Sequence, residues 1–284
     1  MRAWEVTPGT APVVATAIHA GHHVRADLAG QLRATPGERQ REEDPGTDLF
    51  LDHLRGLSSR GSWAWAPPHS TPARIPRRVL PSTVAVRRSR FEVELNRSRD
   101  GAVLRTPEQT WGLEVWRRVP DADQQRASLA LHDGFYADVE GLLERLYADT
   151  GRFVVLDLHS YCYRRGGPGA PADPADANPE INIGTGSIEH PRWRPLVERF
   201  MADLRAADDG EPPLDVRENV KFAGGFFPQW VNHRFGERGC AIAVELKKTY
   251  IDEWTGTLAE APLRRLQRAL HATLPGLVEE LGRP

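Results

Sequence analysis

This 284-residue chain has few cysteines, a small net charge and no long apolar runs, and each of these features argues against a class of protein. Two cysteines, Cys162 and Cys240, are too few for a disulfide framework and are typical of a reducing compartment. A formal net charge of −2 gives no reason to expect a nucleic acid or a membrane surface as a partner. No apolar run could span a bilayer, and Met1 is not followed by the basic and apolar regions of a signal peptide. We therefore expect a cytoplasmic protein.

The bulk composition is that of an ordinary globular protein, with 40% hydrophobic and 27% charged residues. The chain has no internal repeat and no evident domain boundary, so we predict a single domain over residues 1–284. Two segments show neither a helical nor a strand pattern. Residues 58–82, rich in Pro, Ser and Arg, predict an irregular excursion, and residues 164–180, rich in Gly, Pro, Ala and Asp, predict a mobile loop. A loop of that composition and length is either functional, as a lid, or disordered.

Short apolar runs alternate with helical patterns along the chain. The runs are rich in Val or Ile and predict strands at 12–18, 82–87, 152–158, 214–219 and 240–246. One helical stripe is formed by apolar or aromatic residues three or four apart, namely His132, Phe135, Val139, Leu142, Leu143 and Leu146. Further helices are predicted at about 192–206 and 258–281. This alternation predicts an α/β fold with a mixed, largely parallel central sheet and helices on both faces.

Polar residues end three of the predicted strands. His19 ends the first, Asp157, His159 and Ser160 end the third, and Glu245 lies near the end of the last. The carboxyl ends of parallel strands meet at one edge of a sheet, where open α/β sheets bind ligands. Two imidazoles and a carboxylate with one open position are typical of a catalytic zinc site. Because strand-end ligands need no fixed spacing, ordinary histidines at strand ends remain an alternative.

An acidic segment, "EEDPGTDLF", precedes a predicted helix. Asp44 followed by Pro45 predicts an N-cap with proline at the first helical position, and Asp48 would lie in the first turn. Either aspartate could be a capping residue or the third metal ligand. Asp157, near a candidate ligand, could fix an imidazole tautomer or bond to a loop.

The segment "RRSRFEVELNRSRDG" carries Arg90, Asn96 and Arg97 beside alternating apolar residues. Arginine is suited to bidentate capture of a carboxylate, which indicates a substrate-binding role. A solvated edge strand is the alternative in so Arg-rich a chain.

Taken together and in this order, these segments resemble the N-formylglutamate amidohydrolase family, within the wider group of zinc carboxypeptidase-like hydrolases. The matching motifs run from about residue 12 to 250 and are "IHAG", "EEDPGTDLF", "SRFEVELNR", "DLHS", "NIGT", "FAGGFF" and "AVELKKTY". Three positions depart from the usual pattern: Ala20 replaces a serine, Glu94 replaces an aspartate, and His22 stands where the wider group has a glutamate ligand.

The resemblance implies a carboxypeptidase-like fold, a Zn²⁺ cofactor and a role for each matching residue. His19 and His159 look like metal ligands, and Asp44, with Asp48 as its rival, looks like the third. Glu245 looks like the general base that activates the attacking water and later protonates the leaving amine.

Three more residues resemble the family's substrate contacts. Arg90 resembles the arginine that polarises the scissile carbonyl, and Asn96 and Arg97 resemble the pair that binds the substrate α-carboxylate. The expected partner is a small N-acyl amino acid or a peptide, and not a nucleic acid or a membrane.

The functional hypothesis is a zinc-dependent amidohydrolase that cleaves an N-acyl amide, as in N-formylglutamate, or a C-terminal peptide bond beside a free carboxylate. A peptide or a natural-product intermediate is an alternative substrate, and a non-catalytic binding protein on the same scaffold is an alternative function. A hydrolase with Ser160 as nucleophile is disfavoured because no Gly-x-Ser-x-Gly elbow surrounds that residue. Cys162 is either an inert core residue or a reactive thiol.

Overall fold

A seven-stranded mixed sheet runs through the computed structural model, which describes residues 2–56, 79–207 and 210–283. The strands are β1 (Trp4–Thr7), β2 (Val13–Ala17), β3 (Ser82–Val86), β4 (Phe153–Tyr161), β5 (Ile181–Gly184), β6 (Val216–Glu218) and β7 (Gly239–Lys247). Their order in the sheet is β1-β3-β2-β4-β7-β5-β6. Most of the predicted excursion at 58–82 lies outside the described residues, which resume at residue 79.

The central strands of the sheet are parallel, as predicted. β3, β2, β4 and β7 pair in parallel, whereas β1 pairs antiparallel with β3 and β5 pairs antiparallel with β7. All five predicted strands are present, with β6 shorter than its predicted range. The strands β1 and β5 were not predicted, because four residues are too few to show a periodic pattern.

Eight α-helices accompany the sheet within the described ranges. They are α1 (Ala26–Ala29), α2 (Pro36–Glu42), α3 (Asp48–Leu54), α4 (Ala122–Thr150), α5 (Arg194–Ala206), α6 (Phe226–Phe235), α7 (Glu260–Ala272) and α8 (Leu274–Gly282). The long helix α4 begins at a capping box, in which Asp121 accepts a hydrogen bond from the backbone N–H of Gln124, and it ends at the left-handed Gly151. Its buried face includes the whole predicted stripe from His132 to Leu146.

The helices cover both faces of the sheet, which confirms the predicted layers. Strand side chains alternate between the two faces. On β4, Val154 and Leu156 pack into a core shared with α3, α5, α7 and α8, whereas Phe153 and Val155 pack into a core shared with α4 and α6. None of the helices in the described ranges is both long and apolar enough to cross a bilayer.

The prediction of one helix over 258–281 is wrong. Two helices, α7 and α8, occupy this range and meet at the buried Thr273. Pro275 lies in the first turn of α8 and has no N–H to continue the hydrogen-bond ladder of α7. The proline therefore separates the two helices.

The candidate site lies where the central parallel strands end. Residues His159 of β4 and Glu245 of β7 are paired in the sheet register, and β2 ends two residues before His19. The segment 164–180, which follows β4, includes a short 3₁₀ turn at Ala175–Ala177 and a hydrogen bond from the Asp173 N–H to the Tyr163 carbonyl. Its mobility stays a prediction.

Candidate metal and active site

Three buried side chains from distant parts of the chain converge at the carboxyl edge of the sheet. His19, Asp44 and His159 each offer one ligand atom, and these atoms lie within 4.8 Å of one another. The Asp44 Oδ2 atom lies 3.0 Å from His159 Nδ1 and 3.4 Å from His19 Nδ1. The two imidazoles therefore present their Nδ1 atoms to a shared carboxylate oxygen, which is a possible metal site.

Local backbone contacts place these three residues. His19 follows β2, and its carbonyl accepts a hydrogen bond of 3.0 Å from the Asp44 N–H. Two residues later, Gly21 lies so close to the chain leaving β3 that a Cβ there would be 2.2 Å from the Arg87 carbonyl carbon. Glycine at this position lets the two chain segments pass each other beside the site.

Of the two aspartates in the acidic segment, the structure brings Asp44 to the histidines. Asp48 instead accepts a 2.8 Å hydrogen bond from Arg87. The prediction that Asp44 caps a helix is wrong: α3 begins at Asp48 with Thr47 as its N-cap, and residues 45–47 form a turn. The Asp44 carbonyl accepts a 2.7 Å hydrogen bond from the Thr47 hydroxyl, while the carboxylate of Asp44 lies beside the two histidines.

Each imidazole also contacts a second carboxylate through its Nε2 atom, the ring nitrogen that does not face Asp44. His19 Nε2 lies 2.5 Å from Glu94 Oε1, and His159 Nε2 lies 2.7 Å from Asp157 Oδ2. The Thr16 hydroxyl in turn donates to Asp157 at 2.6 Å. Carboxylates in this position fix the tautomer and the orientation of metal-binding imidazoles. The contact proposed for Asp157 is present. The contact of Glu94 was not predicted, because the sequence shows this residue only as a glutamate in place of the family's usual aspartate.

In the cluster formed by His19, Asp44, His159 and their supporting carboxylates, nearby groups of opposite charge shift three pKa values more than burial does. Burial alone would raise the pKa of Asp44, but the His159 and His19 imidazoles beside it hold it well below its usual range. Burial also opposes ionisation of Glu94, whose pKa is nevertheless lowered by the Arg90 and His19 charges. For His159, burial lowers the pKa, and the Asp157 and Asp44 carboxylates outweigh that effect and raise it. Asp44 and Glu94 are therefore ionised, and their negative charge favours a cation between the imidazoles.

One buried atom in the cluster lacks a partner. His19 Nδ1 is buried and has no hydrogen-bond partner among the described residues. Buried polar atoms are rarely left without a partner, and an unpaired one marks a place for an unseen ligand, water or ion. Two imidazole nitrogens and a carboxylate oxygen are the ligand types found in catalytic zinc sites, so the donor set fits this metal.

Glu245 lies beside the cluster on β7 and is partly buried. Burial raises the pKa of its carboxyl group to about 7, although the His159 charge acts in the opposite direction. A carboxylate with a pKa near neutrality can both accept and return a proton at physiological pH. This is the behaviour required of a general base.

The predicted substrate-binding residues also reach this site. Arg90 donates to Glu94 Oε2 at 2.8 Å and to the Glu42 carbonyl at 2.6 Å. Asn96 accepts a 2.9 Å hydrogen bond from the Phe227 N–H, and Arg97 donates to the Gln109 carbonyl at 2.7 Å. The edge-strand alternative for this segment is not observed, since residues 90–97 contain no strand.

A cavity of about 400 Å³ opens above the cluster. Its walls include all seven residues predicted for the site, namely His19, Asp44, Arg90, Asn96, Arg97, His159 and Glu245. Arg41, Trp111 and Lys221 also line it and were missed, because no motif marks them. Trp111 has a left-handed φ of 55° and stacks on the Arg90 guanidinium, with 4.5 Å between the ring centroid and the Arg90 Cζ atom.

Three other candidates have contacts that explain them without a catalytic role. His22 pairs with Glu43 at 2.6 Å and is not part of the metal cluster. The Ser160 hydroxyl lies 3.3 Å from Asp44 Oδ1, to which it donates. Burial raises the pKa of the Cys162 thiol to about 12, so it stays protonated and unreactive at neutral pH.

The fold and the cluster together define an α/β protein with a candidate metal-binding, hydrolytic centre at the edge of its sheet. The model of the N-formylglutamate amidohydrolase family matches residues 11–251. The chain therefore belongs to the N-formylglutamate amidohydrolase family, a family of hydrolases.

Solved structures share this fold at low sequence identity. The N-formylglutamate amidohydrolase from Ralstonia eutropha JMP134 has a TM-score of 0.70 and 17% identity, and the match covers 97% of each chain. A gene product of Agrobacterium tumefaciens has a TM-score of 0.63 and 15% identity, covering 100% of this chain and 97% of that one. A metallo-carboxypeptidase from Burkholderia cenocepacia has a TM-score of 0.41 and 14% identity, covering 96% of this chain and 58% of that one. No sequence among curated proteins is similar enough to count as a match.

Proposed function

We propose that this protein is a zinc-dependent amidohydrolase that cleaves the amide bond of an N-acyl amino acid, as in N-formylglutamate, next to a free carboxylate. The observation that carries the proposal is the convergence of His19, Asp44 and His159, together with the unpartnered Nδ1 atom of His19. Membership of the amidohydrolase family supports the reaction type.

His19, Asp44 and His159 would hold the metal, and Glu94 and Asp157 would keep the two imidazoles in the required tautomer. When bound, Zn²⁺ supplies Lewis acidity, which makes water more acidic and polarises a carbonyl group. Three protein ligands would leave room on the metal for water or substrate.

Glu245 acts as the general base. Its carboxylate accepts a proton from the attacking water and then delivers it to the leaving amine nitrogen. Its pKa of about 7 suits both steps. A positioned base of this kind contributes roughly 10²–10⁴ in rate.

Arg90 and Arg97 bind oxygen atoms of the substrate. The guanidinium of Arg90 is held by Glu94 beside the cluster and stabilises the negative charge that develops on the carbonyl oxygen. Arg97 has a carbonyl rather than a carboxylate as its hydrogen-bond partner, so its charge remains to bind the substrate carboxylate. Asn96 assists, because its Oδ1 atom is occupied by the Phe227 N–H and its amide nitrogen is left to donate.

Metal analysis combined with hydrolysis of N-formyl-L-glutamate tests the proposal. We expect the purified protein to contain about one equivalent of Zn²⁺, to lose activity on chelation and to regain it with added Zn²⁺. His159→Ala should abolish both metal binding and turnover. Full activity in metal-free protein would refute the proposed chemistry.

A second substrate class, a peptide or another larger acyl amide, is favoured by two aromatic side chains in the cavity wall. Trp111 is 50% exposed and Phe222 is 40% exposed, and both line the cavity. Exposed aromatic rings beside a polar centre suit an apolar substrate group that extends out of the cavity. Comparing kcat/KM for N-formyl and N-aroyl derivatives of the same amino acid distinguishes the two classes.

A further inference from the structure

We infer that Lys248 is a positioning residue for the metal ligand Asp44, an inference that rests on the proposed function. Lys248 directly follows β7 and is only 2% exposed. Its ammonium group donates to the carbonyl of Arg41 at 2.7 Å and to the carbonyl of Glu43 at 2.8 Å. Arg41 lies in the last turn of α2 and Glu43 directly precedes Asp44, so both acceptors belong to the chain that leads into the ligand.

The segment around Asp44 has little regular structure of its own. Helix α2 ends at Glu42 and α3 begins at Asp48, so residues 43–47 lack the hydrogen-bond ladder of a helix or strand. The backbone of such a segment must be placed by other parts of the molecule. Lys248 places it on the side that precedes Asp44.

Tyr250 holds the same segment on the side that follows Asp44. Its ring is fully buried, and its hydroxyl donates to the Pro45 carbonyl at 2.9 Å. Two side chains that follow one strand thus hold the backbone immediately before and after the ligand. The side chain of Asp44 is thereby fixed relative to His159, which lies on the adjacent strand β4.

Within the described part of the chain, the buried ammonium group of Lys248 is not neutralised by a neighbouring carboxylate. Among residues 2–56, 79–207 and 210–283, no carboxylate forms an ion pair with Lys248, whose ammonium group donates to the two carbonyls and lies 3.6 Å from the Cys162 sulfur. Burial of an ammonium group without a carboxylate is costly, and an apolar side chain of the same length would avoid that cost. Two charge-assisted hydrogen bonds to the ligand segment account for its presence.

Replacing Lys248 with methionine tests the inference, with Co²⁺ as the probe. Lys248→Met keeps the length and packing of the side chain and removes the ammonium donor. We expect the dissociation constant for Co²⁺ to rise by about 10–100-fold, the range found when outer contacts of a metal site are lost. We also expect a changed visible absorption spectrum of the bound Co²⁺, because Asp44 no longer keeps its orientation.

Lys247→Met is the matched control. Lys247 is the neighbouring residue and also donates to a carbonyl, that of Asn178 at 3.0 Å, but it does not touch the Asp44 segment. Its Co²⁺ affinity and spectrum should equal those of the wild type. Urea unfolding of the metal-free proteins separates a loss of metal affinity from a loss of folding.

If Lys248→Met fails to fold, Tyr250→Phe tests whether the contacts to the Asp44 segment affect Co²⁺ binding. This variant removes a single hydroxyl and keeps the buried ring. A raised Co²⁺ dissociation constant in either variant, with the control unchanged, supports the inference. Wild-type affinity and spectrum in every variant that folds would overturn it and leave the proposed function intact. Wild-type protein that binds no Co²⁺ would overturn the proposed function and this inference with it.

Discussion

Replacing the Glu245 carboxylate with an amide, in Glu245→Gln, tests the catalytic assignment and the electrostatics of the site together. Burial raises the pKa of this carboxyl group from 4.5 to about 7. The ionised form is thus disfavoured in the folded, metal-free protein. The amide has nearly the same shape and cannot ionise.

The size of the effect follows from the shift in pKa. Each pKa unit corresponds to about 1.4 kcal/mol, so ionised Glu245 destabilises the metal-free protein by about 3 kcal/mol. A carboxyl group with a raised pKa keeps its proton in the folded state after the unfolded state has released it. The penalty is therefore absent below pH 4.5, grows between pH 4.5 and about 7, and is constant above that.

Urea unfolding of chelator-treated protein across this pH range measures the penalty. At about pH 8, Glu245→Gln should be more stable than the wild type by about 3 kcal/mol, and the difference should vanish in acid. The same variant should lose roughly 10²–10⁴ in kcat/KM while it keeps its metal. In the wild type, kcat/KM should fall as the pH drops below about 7, because the base becomes protonated.

Glu189→Gln, at an exposed position outside the cavity, is the control and should change neither stability nor turnover. Equal stability of Glu245→Gln and wild type at alkaline pH would refute the raised pKa of the Glu245 carboxyl group. Wild-type turnover in that variant would refute its role as the base.

Three further variants test other parts of the structure. Arg97→Met should raise KM by about 10–100-fold with little change in kcat, because one charge-assisted contact to the substrate carboxylate is lost; steady-state kinetics would contradict this if kcat fell instead. Glu94→Gln should weaken Zn²⁺ binding by about 10–100-fold, since the support of His19 is impaired, and chelator competition measures this; unchanged affinity would exclude the supporting role. Burial lowers the pKa of His53 to about 4, so the folded protein should lose stability as the pH falls from 6.5 to about 4, while the unfolded chain takes up a proton first. His53→Gln should reduce that loss in urea titrations, and an identical pH profile would count against the assignment.

The core of the sheet was predictable because its signals are local. Runs such as 152–158 and 240–246 are apolar and rich in β-branched residues, and each became a central strand. The buried stripe of α4 was equally predictable from the spacing of its apolar residues. Prediction failed where the signal was short or overlooked, as with β1 and with Pro275, which divides the last helix in two.

Parts of the site could not be predicted from the sequence, for a different reason. Asp44 and Asp48 are both acidic residues near a helix start, and nothing local distinguishes them. The choice depends on a contact between residues far apart in the chain, Asp44 with His159. The contacts of Glu94, Trp111 and Lys248 depend in the same way on neighbours that are remote along the chain.

By itself, the sequence determined the alternation of strands and helices, the sheet edge at which polar residues collect, and the family to which the chain belongs. Only the tertiary structure decided which acidic group faces the two imidazoles and which side chains hold it there. Secondary structure depends on the periodicity of neighbouring residues, whereas a metal site depends on distances of a few ångströms between residues that are remote along the chain. Those distances exist only once the sheet has formed.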